Sequence, residues 1–279
     1  MKFAVVVSMS PSGSTDHVGQ VIAASLKSKG VEVVSVDLAK QSGLESDVLE
    51  RLGNDRSCLF VGSPVYFSRV IPPVLEFIAS LPLATGGHAV PFVTWGGASS
   101  GIALHDLGVA LQERGYGVIG AAKVLAEHSM MWRFENPLGE NHPDETDDRL
   151  VTDLVERVVD KFSAASPVPA LPLEMLAYQP PQAFTEMSKV VFAKAKTNMP
   201  AKQVDEEQCT QCGVCAEECP VGAITLAPYP EFADNCICCF KCLRICPEDA
   251  FTNDLSMLDT RIRERARTMD EHPKTEMFM

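Results

Sequence analysis

The sequence predicts an α/β protein built from two units: a doubly wound domain around a five-stranded parallel sheet, followed by a small cysteine-rich α+β unit. Three observations carry that prediction. Short β-branched runs alternate with helix-like stretches over the first 162 residues, a proline-dense stretch follows, and one cysteine pattern then occurs twice.

Five apolar runs, residues 3–7 (FAVVV), 31–36 (VEVVSV), 58–61 (CLFV), 89–94 (AVPFVT) and 117–122 (GVIGAA), read as buried parallel strands. A strand covered on both faces is continuously apolar, whereas a half-exposed one alternates. Helix-like stretches at 15–29, 44–52, 72–80, 100–114 and 147–162 separate and follow these runs. Such alternation places helices on both faces of a parallel sheet. The carboxylates of NHPDETDDR, residues 141–149, suit the first turn of the last helix, where acids complement its dipole. Residues 1–165 form this domain. The proline-dense SPVPALPLEMLAYQPPQ, 166–182, reads as an extended tether opening a linker that runs to residue 200, with a short basic helix at 185–196. The cysteine unit occupies 201–254, and a further basic helix at 255–269 opens the C-terminal tail, 255–279. Both helices are either solvated faces or pins between the two units.

The chain of 279 residues is 46% apolar and carries a net charge of −13. The charge divides evenly, with 20 acids and 13 bases in residues 1–165 and 17 acids and 11 bases in the remainder. An acidic surface disfavours nucleic acid and anionic membranes. The opening apolar run is too short for a signal peptide, and no later stretch reaches the roughly 18 apolar residues of a spanning helix. A cytoplasmic protein without membrane insertion is expected. Nine of the ten cysteines follow residue 208, and only Cys58 precedes it. That uneven use points to a metal-binding unit attached to a thiol-poor one, rather than to a secreted disulfide framework.

CTQCGVCAEECP at 209–220 and CICCFKCLRICP at 236–247 superpose after a shift of 27 positions (236 − 209). Cys209, Cys212, Cys215, Cys219 and Pro220 then lie on Cys236, Cys239, Cys242, Cys246 and Pro247, with Cys238 the extra thiol. The register continues through Ala223 on Ala250 and Thr225 on Thr252, which makes the segment an internal duplication. Zinc also takes CxxC pairs, but it leaves the third cysteine and the Cys-Pro of each run unexplained. Over residues 203–252 the sequence resembles the bacterial ferredoxins with two [4Fe-4S] clusters. In that pattern three thiolates of one run cap three corners of a cubane and the fourth ligand comes from the other run. The resemblance assigns Cys209, Cys212, Cys215 and Cys246 to one cluster, and Cys236, Cys239, Cys242 and Cys219 to the other. Cys238 is a non-ligand, either a small buried side chain or a thiol that reacts when exposed.

In the first domain, strand one runs into SMSPSGST, a hydroxyl-rich turn with one glycine ahead of the helix. Hydroxyls with helix N-terminal N–H groups form a phosphate site, and a serine-rich helix cap has the same composition. The loop lacks lysine and arginine, so hydrogen bonds and the helix dipole alone would neutralise a phosphate. It fits neither GxxxxGK[ST] nor GxGxxG. The loops after strands three (GSPVYFSRVIPP, 62–73) and four (TWGGASSG, 94–101) open at the same end of the sheet, each with aromatics and glycines. They suit the walls of a slot for a flat ring, although each aromatic singly also reads as edge packing. The imidazole of His128, just beyond strand five, reads as a surface histidine near that end.

The run from Ser10 to Thr15 resembles the flavodoxin phosphate loop T/S-x-T-G-N-T, with Ser14 where that family carries asparagine. The resemblance implies a flavodoxin-like sheet of order 2-1-3-4-5 that binds FMN. Ser10, Ser12, Gly13, Ser14 and Thr15 would hold the phosphate, and Pro64, Val65, Tyr66, Phe67, Thr94, Trp95, Gly96 and Gly97 would flank the isoalloxazine. GAAKVLAEHSM, 120–130, is similar to a stretch of the flavodoxin–ferredoxin fusion proteins of anaerobic bacteria and archaea, and with both units the likeness covers nearly the whole chain. It implies an electron-transfer protein, in an anaerobic host, that passes electrons between two low-potential clusters and FMN and on to redox partners; the acidic surface suits basic docking patches on such partners. Two other readings compete: an FMN-dependent reductase of a quinone, nitro compound or activated alkene, and a flavin-free docking module for the cluster unit. Nothing indicates a nicotinamide site. A homodimer bringing one chain's clusters to the other's flavin is an arrangement that the tether allows.

Overall fold

The computed structural model describes residues 1–41, 43–53, 56–164 and 168–279. The first domain begins β1 (Phe3–Ser8), α1 (Ser14–Ser28), β2 (Glu32–Asp37), α2 (Ser46–Leu52), β3 (Ser57–Tyr66), β4 (Arg69–Val70) and α3 (Pro72–Ser80). It continues β5 (Gly87–Trp95), α4 (Ala103–Glu113), β6 (Tyr116–Val118), β7 (Ala121–Leu125) and α5 (Glu145–Ala164). The parallel strands run β2-β1-β3-β5-β7. In chain order of the five expected strands that is 2-1-3-4-5, the flavodoxin-like order. Every residue of β1 and β5 is buried. A strand sandwiched between helical layers must be apolar on both sides.

Two apolar layers cover the sheet. On one face, α1 and α5 pack together, α5 through Val151, Leu154, Val155 and Val158. Their i, i+3, i+4, i+7 spacing places them on one stripe of the helix. Cys58, fully buried on β3, belongs to this layer. On the other face, α3 and α4 contribute Val74, Phe77, Ile78, Leu104, Leu107 and Leu111.

Four expectations need correction. The fifth strand is divided: β6 and β7 flank Gly120, where a Cβ would sit tightly, 3.1–3.3 Å from Val158, Leu154 and Met279. The basic helix expected over 185–196 is broken into α6 (Pro181–Ser188) and α7 (Phe192–Ala195), because the β-branched pair Val190–Val191 turns the chain between them. The C-terminal tail holds more than the expected helix. Its strand β10 (Glu276–Phe278) pairs antiparallel with β7 and covers the sheet edge.

The proline-dense stretch is likewise docked instead of forming an extended tether; its first residues, 166–167, lie outside the described residues. The Leu171 N–H donates to the Val118 carbonyl at 2.6 Å, and Tyr178 stacks on Phe278 with centroids 5.3 Å apart. Leu173 and Leu176 rest on α4 at Gly108, where a Cβ would come within 2.9 Å of both.

The cysteine unit contains α8 (Val214–Glu217), the hairpin β8 (Ile224–Leu226) and β9 (Pro230–Phe232), α9 (Lys241–Ile245), then α10 (Ser256–Met269). Its core of Phe240, Leu243, Phe251, Leu255 and Leu258 takes in Phe67, Met130, Trp132 and Phe134 from the first domain. Arg263 donates to the carbonyls of Glu135 at 3.0 Å and Asn136 at 3.2 Å, and Arg69 to that of Val190 at 2.9 Å. Among the described residues no helix is long and apolar enough to cross a membrane.

Candidate functional site

Sequence duplication is matched residue by residue in backbone conformation. Gln211, Gly213 and Gly222 have φ of 58°, 84° and 57°, and their partners 27 positions on (238 − 211), Cys238, Phe240 and Asp249, have 54°, 55° and 49°. Left-handed backbone is unfavourable for side chains such as phenylalanine, so three matched occurrences reflect one loop geometry used twice. Two hydrogen bonds repeat as well: Ala223 N–H to Cys219 Sγ at 3.2 Å and Ala250 N–H to Cys246 Sγ at 3.4 Å. Cys238 is therefore the counterpart of Gln211, which cannot be a thiolate ligand.

A single zinc ion would draw its thiolates to about 3.8 Å from one another, given Zn–S bonds of about 2.3 Å. Among the described residues only His142, Asp144 and Asp147 bring three candidate ligand atoms within 4.8 Å, and no cysteine trio does so. The trio of His142, Asp144 and Asp147 is internally bonded, His142 Nδ1 lying 2.6 Å from Asp147 Oδ2 and the Asp144 N–H donating to the same oxygen at 2.8 Å.

The thiols differ in their readiness to ligate. A hydrogen bond from Cys238 holds Cys236 down at about 5, against the opposing effect of burial, and Lys202, 3.3 Å from its sulfur, adds to the lowering. Burial pushes Cys239 upward and Cys242 up to about 12. Loading metal onto these buried thiols releases their protons.

At the carboxyl ends of the sheet the three loops meet around one cavity. Its wall includes Ser12 and Ser14 after β1, Pro64, Val65, Tyr66 and Phe67 closing β3, and Thr94, Trp95 and Gly96 closing β5. Thr15 is fully buried and bonded to Thr94, their hydroxyl oxygens 2.7 Å apart, so it ties the first loop to β5 rather than lining the cavity. Gly13 stands at φ 96° as the N-cap residue of α1. The N–H groups of Ser14 to Asp16 fall in the first helical turn, outside the helix ladder. Gly97, at φ 71°, packs against Leu138 and Gly139. Gly101 lets the β5 loop touch the β3 loop: a Cβ there would lie 2.3 Å from the Ser68 carbonyl oxygen, which accepts the Ile102 N–H at 2.9 Å.

Sequence reasoning missed much of the remaining wall. Ser129, Met130, Met199 and Cys238 line it, as do Leu258, Ile262 and Arg265 on α10. His128, expected at the surface, also lines the cavity and lies against Gly96, where a Cβ would sit 2.7 Å from its ring. Its Nδ1 accepts the Met130 N–H at 3.3 Å, which leaves the proton on Nε2. Burial lowers its pKa to about 4. The unfolded chain therefore binds a proton near pH 6.5 that the folded one refuses until about 4, so stability falls as the pH drops through that window. His128→Asn is expected to flatten the Tm profile between pH 6.5 and 4; an unchanged profile would show that other groups set it.

Among the described residues, Ser10 Oγ and Trp95 Nε1 are buried without a hydrogen-bond partner, and both belong to the loops that surround the cavity.

Fold and cysteine site together define a two-part architecture: an α/β domain of flavodoxin-like strand order joined to a ferredoxin-like cysteine segment. More particularly, residues 202–225 match the 4Fe-4S binding domain family, which covers the first cysteine run. Curated relatives include Ferredoxin Fdx8 of Sorangium cellulosum, 39% identical over 59 residues, 20% of this chain and 53% of that protein. Polyferredoxin protein MvhB of Methanothermus fervidus is 33% identical over 66 residues, 23% of this chain and 16% of that one. A heterodisulfide reductase-like protein of Archaeoglobus profundus is 41% identical over 49 residues, 18% of this chain and 7% of that one. The chain thus spans about half or less of the length of each. Similar solved structures include an archaeal flavodoxin (TM-score 0.44, 21% identity, 58% of this chain and 99% of that one) and flavodoxin 1 of Bacillus cereus (0.44, 22%, 57% and 98%).

Proposed function

We propose that the chain is an electron-transfer protein carrying two [4Fe-4S] clusters and FMN. Cys209, Cys212, Cys215 and Cys246 hold one cluster, and Cys219, Cys236, Cys239 and Cys242 the other. One observation carries the reading: Cys238, between ligands Cys236 and Cys239, lines the same cavity as Ser12, Tyr66 and Trp95. The ferredoxin and polyferredoxin relatives support electron transfer for the cysteine segment.

When bound, the flavin supplies both one- and two-electron chemistry beside clusters that exchange single electrons. The chain's own residues do the rest. Hydroxyls of Ser10, Ser12 and Ser14 and the first N–H groups of α1 receive the phosphate. Tyr66, Phe67 and Trp95 wall the ring, and Leu258 and Ile262 of α10 exclude water from it. The set containing Cys236 and Cys239 abuts the cavity, whereas Cys212 of the other set is exposed to a redox partner. The acidic net charge of −13 suits a partner with a basic patch.

Protein purified without oxygen is expected to contain about eight irons and one FMN per chain. Mixed with limiting dithionite in a stopped-flow cell, its clusters and flavin should bleach in one coupled process. Flavin reduction that lags far behind the clusters would sink the reading. Turnover of a quinone or nitro compound without any partner protein would shift it to a reductase.

A further inference from the structure

The phosphate loop carries no cation of its own. Between Met9 and Val18 the only ionisable side chains are Asp16 and His17, and Asp16 adds negative charge to the first turn of α1. The fold brings a cation from elsewhere. The Arg244 guanidinium donates from Nη2 to the Pro11 carbonyl at 2.8 Å, a contact between residues 233 positions apart (244 − 11). Its guanidinium also lies over the Trp132 ring, 5.8 Å from the centroid, so it is braced between the two halves of the molecule.

The place of Arg244 in the chain matters as much as the contact. It lies on α9, five residues long, between Cys242 and Cys246. A helix of that length has no stability of its own. Its flanks are further strained, with Cys238 and Phe240 at φ of 54° and 55° and Asp249 at 49°. Under the proposed ligand sets Cys242 is anchored to one cluster and Cys246 to the other, so both ends of α9 are held only when both clusters are assembled. The same segment sends Cys238 into the cavity wall. A second arginine, Arg265 on α10, lines the cavity directly and donates to Ser68 Oγ at 2.7 Å.

Resting on the flavin reading above, we propose that the flavin site is composite: Arg244 supplies the phosphate loop with the positive charge that it lacks, so flavin affinity and cluster assembly rise and fall together. Arg244 is a positioning residue, acting through the loop and by its field on the phosphate, and it is held in place by the clusters. Linkage makes the coupling reciprocal: FMN must stabilise the assembled clusters by the same factor that the clusters tighten FMN. A cluster-depleted chain would then release its flavin, and a chain that has not yet acquired clusters would not expose a redox-active flavin.

The test uses the full chain, anaerobically, in a cluster-reconstituted and a chelator-stripped form, with FMN and riboflavin titrated by fluorescence quenching. The reconstituted form is expected to bind FMN at least about tenfold more tightly, within the roughly 5–150-fold range of such couplings. In reconstituted protein with its iron content unchanged, Arg244→Gln is expected to weaken FMN roughly tenfold while leaving riboflavin, which lacks the phosphate, nearly unchanged. Arg244→Lys should recover part of the loss, and the wild-type advantage should shrink with salt. Equal FMN affinity in the two forms would overturn the coupling. Equal weakening of FMN and riboflavin by Arg244→Gln would overturn the charge role and leave a packing role only. If the reconstituted chain bound neither compound, the flavin reading itself would fall, and with it this proposal.

Discussion

Replacing Cys246 by alanine is expected to remove the cluster of the first cysteine run and to spare that of the second run, in which it lies. Iron content should drop from about eight to about four per chain, with the remaining cluster held by Cys219, Cys236, Cys239 and Cys242. Cys219→Ala should do the reverse. Three thiolates on one tight loop reach three corners of a cubane, and the fourth corner faces away from that loop toward the other repeat. The matched geometry of the repeats makes a symmetrical exchange the expected result, since Cys219 and Cys246 each accept a backbone N–H from the alanine four residues on. Cys238→Ser should retain about eight irons, because the equivalent position in the first repeat is Gln211. Iron and acid-labile sulfide analysis with electron paramagnetic resonance of the reduced variants decides the matter. Loss of the second run's cluster on Cys246→Ala would refute the ligand sets.

Lys123→Met should produce the largest loss of stability in the first domain. Lys123 is 3% exposed, and its Nζ lies 2.7 Å from Glu271 Oε1 and 2.6 Å from Glu276 Oε2, over the Tyr178 ring at 4.5 Å. Glu271, 11% exposed, also accepts hydrogen bonds from the Ser100 N–H and Gln179 Nε2, each at 2.9 Å, and from the Ser100 hydroxyl. Without the lysine that mostly buried carboxylate loses its closest cation, and breaking a buried pair typically costs about 3–5 kcal/mol. For a domain of this size the Tm should fall by on the order of 10 °C. Adding Glu271→Gln to Lys123→Met should recover much of the loss, because the stranded charge is then gone. Burial by itself would raise the Glu271 pKa, but hydrogen bonds from Lys123, Ser100 and Gln179 outweigh it and hold the carboxyl below its ordinary value. The network's contribution is thus present at neutral pH and is lost as the pH falls through that depressed pKa. A thermal melt of the single and double variants checks all three points; a single variant as stable as wild type would show that the network is incidental.

The same network explains why the C-terminal strand has no signature in the sequence. Residues 271–278 carry no long apolar or alternating run, so nothing local marks a strand. The segment is recruited by Lys123, by the Thr275 hydroxyl, which accepts the Leu125 N–H at 2.9 Å, and by the open edge of β7. The docked proline-rich stretch has a similar origin: its prolines favour extended backbone in solution as in the fold, and only Gly108 and Val118 on the sheet domain decide where it lies.

Site residues divide along the same line. Ser12, Ser14, Tyr66, Phe67, Thr94 and Trp95 are legible because strand–loop–helix alternation puts their loops at one end of the sheet. His128 is visible in the sequence but reads as a surface residue, since a histidine after a strand carries no signal of what will cover it. Arg265 falls in a basic helix that reads either as a solvated face or as a pin between the units, and Arg244 carries no separate signal within the second cysteine run.

The residues alone determined the parts whose physics is local. Alternating apolar runs specified the doubly wound sheet, and each cysteine run is written within eleven residues, 209–219 and 236–246, because three of a cubane's four ligands would come from one tight loop. Only the tertiary structure decided that Cys238 faces the cavity of the other domain, that Arg244 meets Pro11 and that α10 roofs the site. Those contacts join residues far apart in the chain. Their energy comes from packing one completed unit against another, and no short-range pattern of the sequence encodes it.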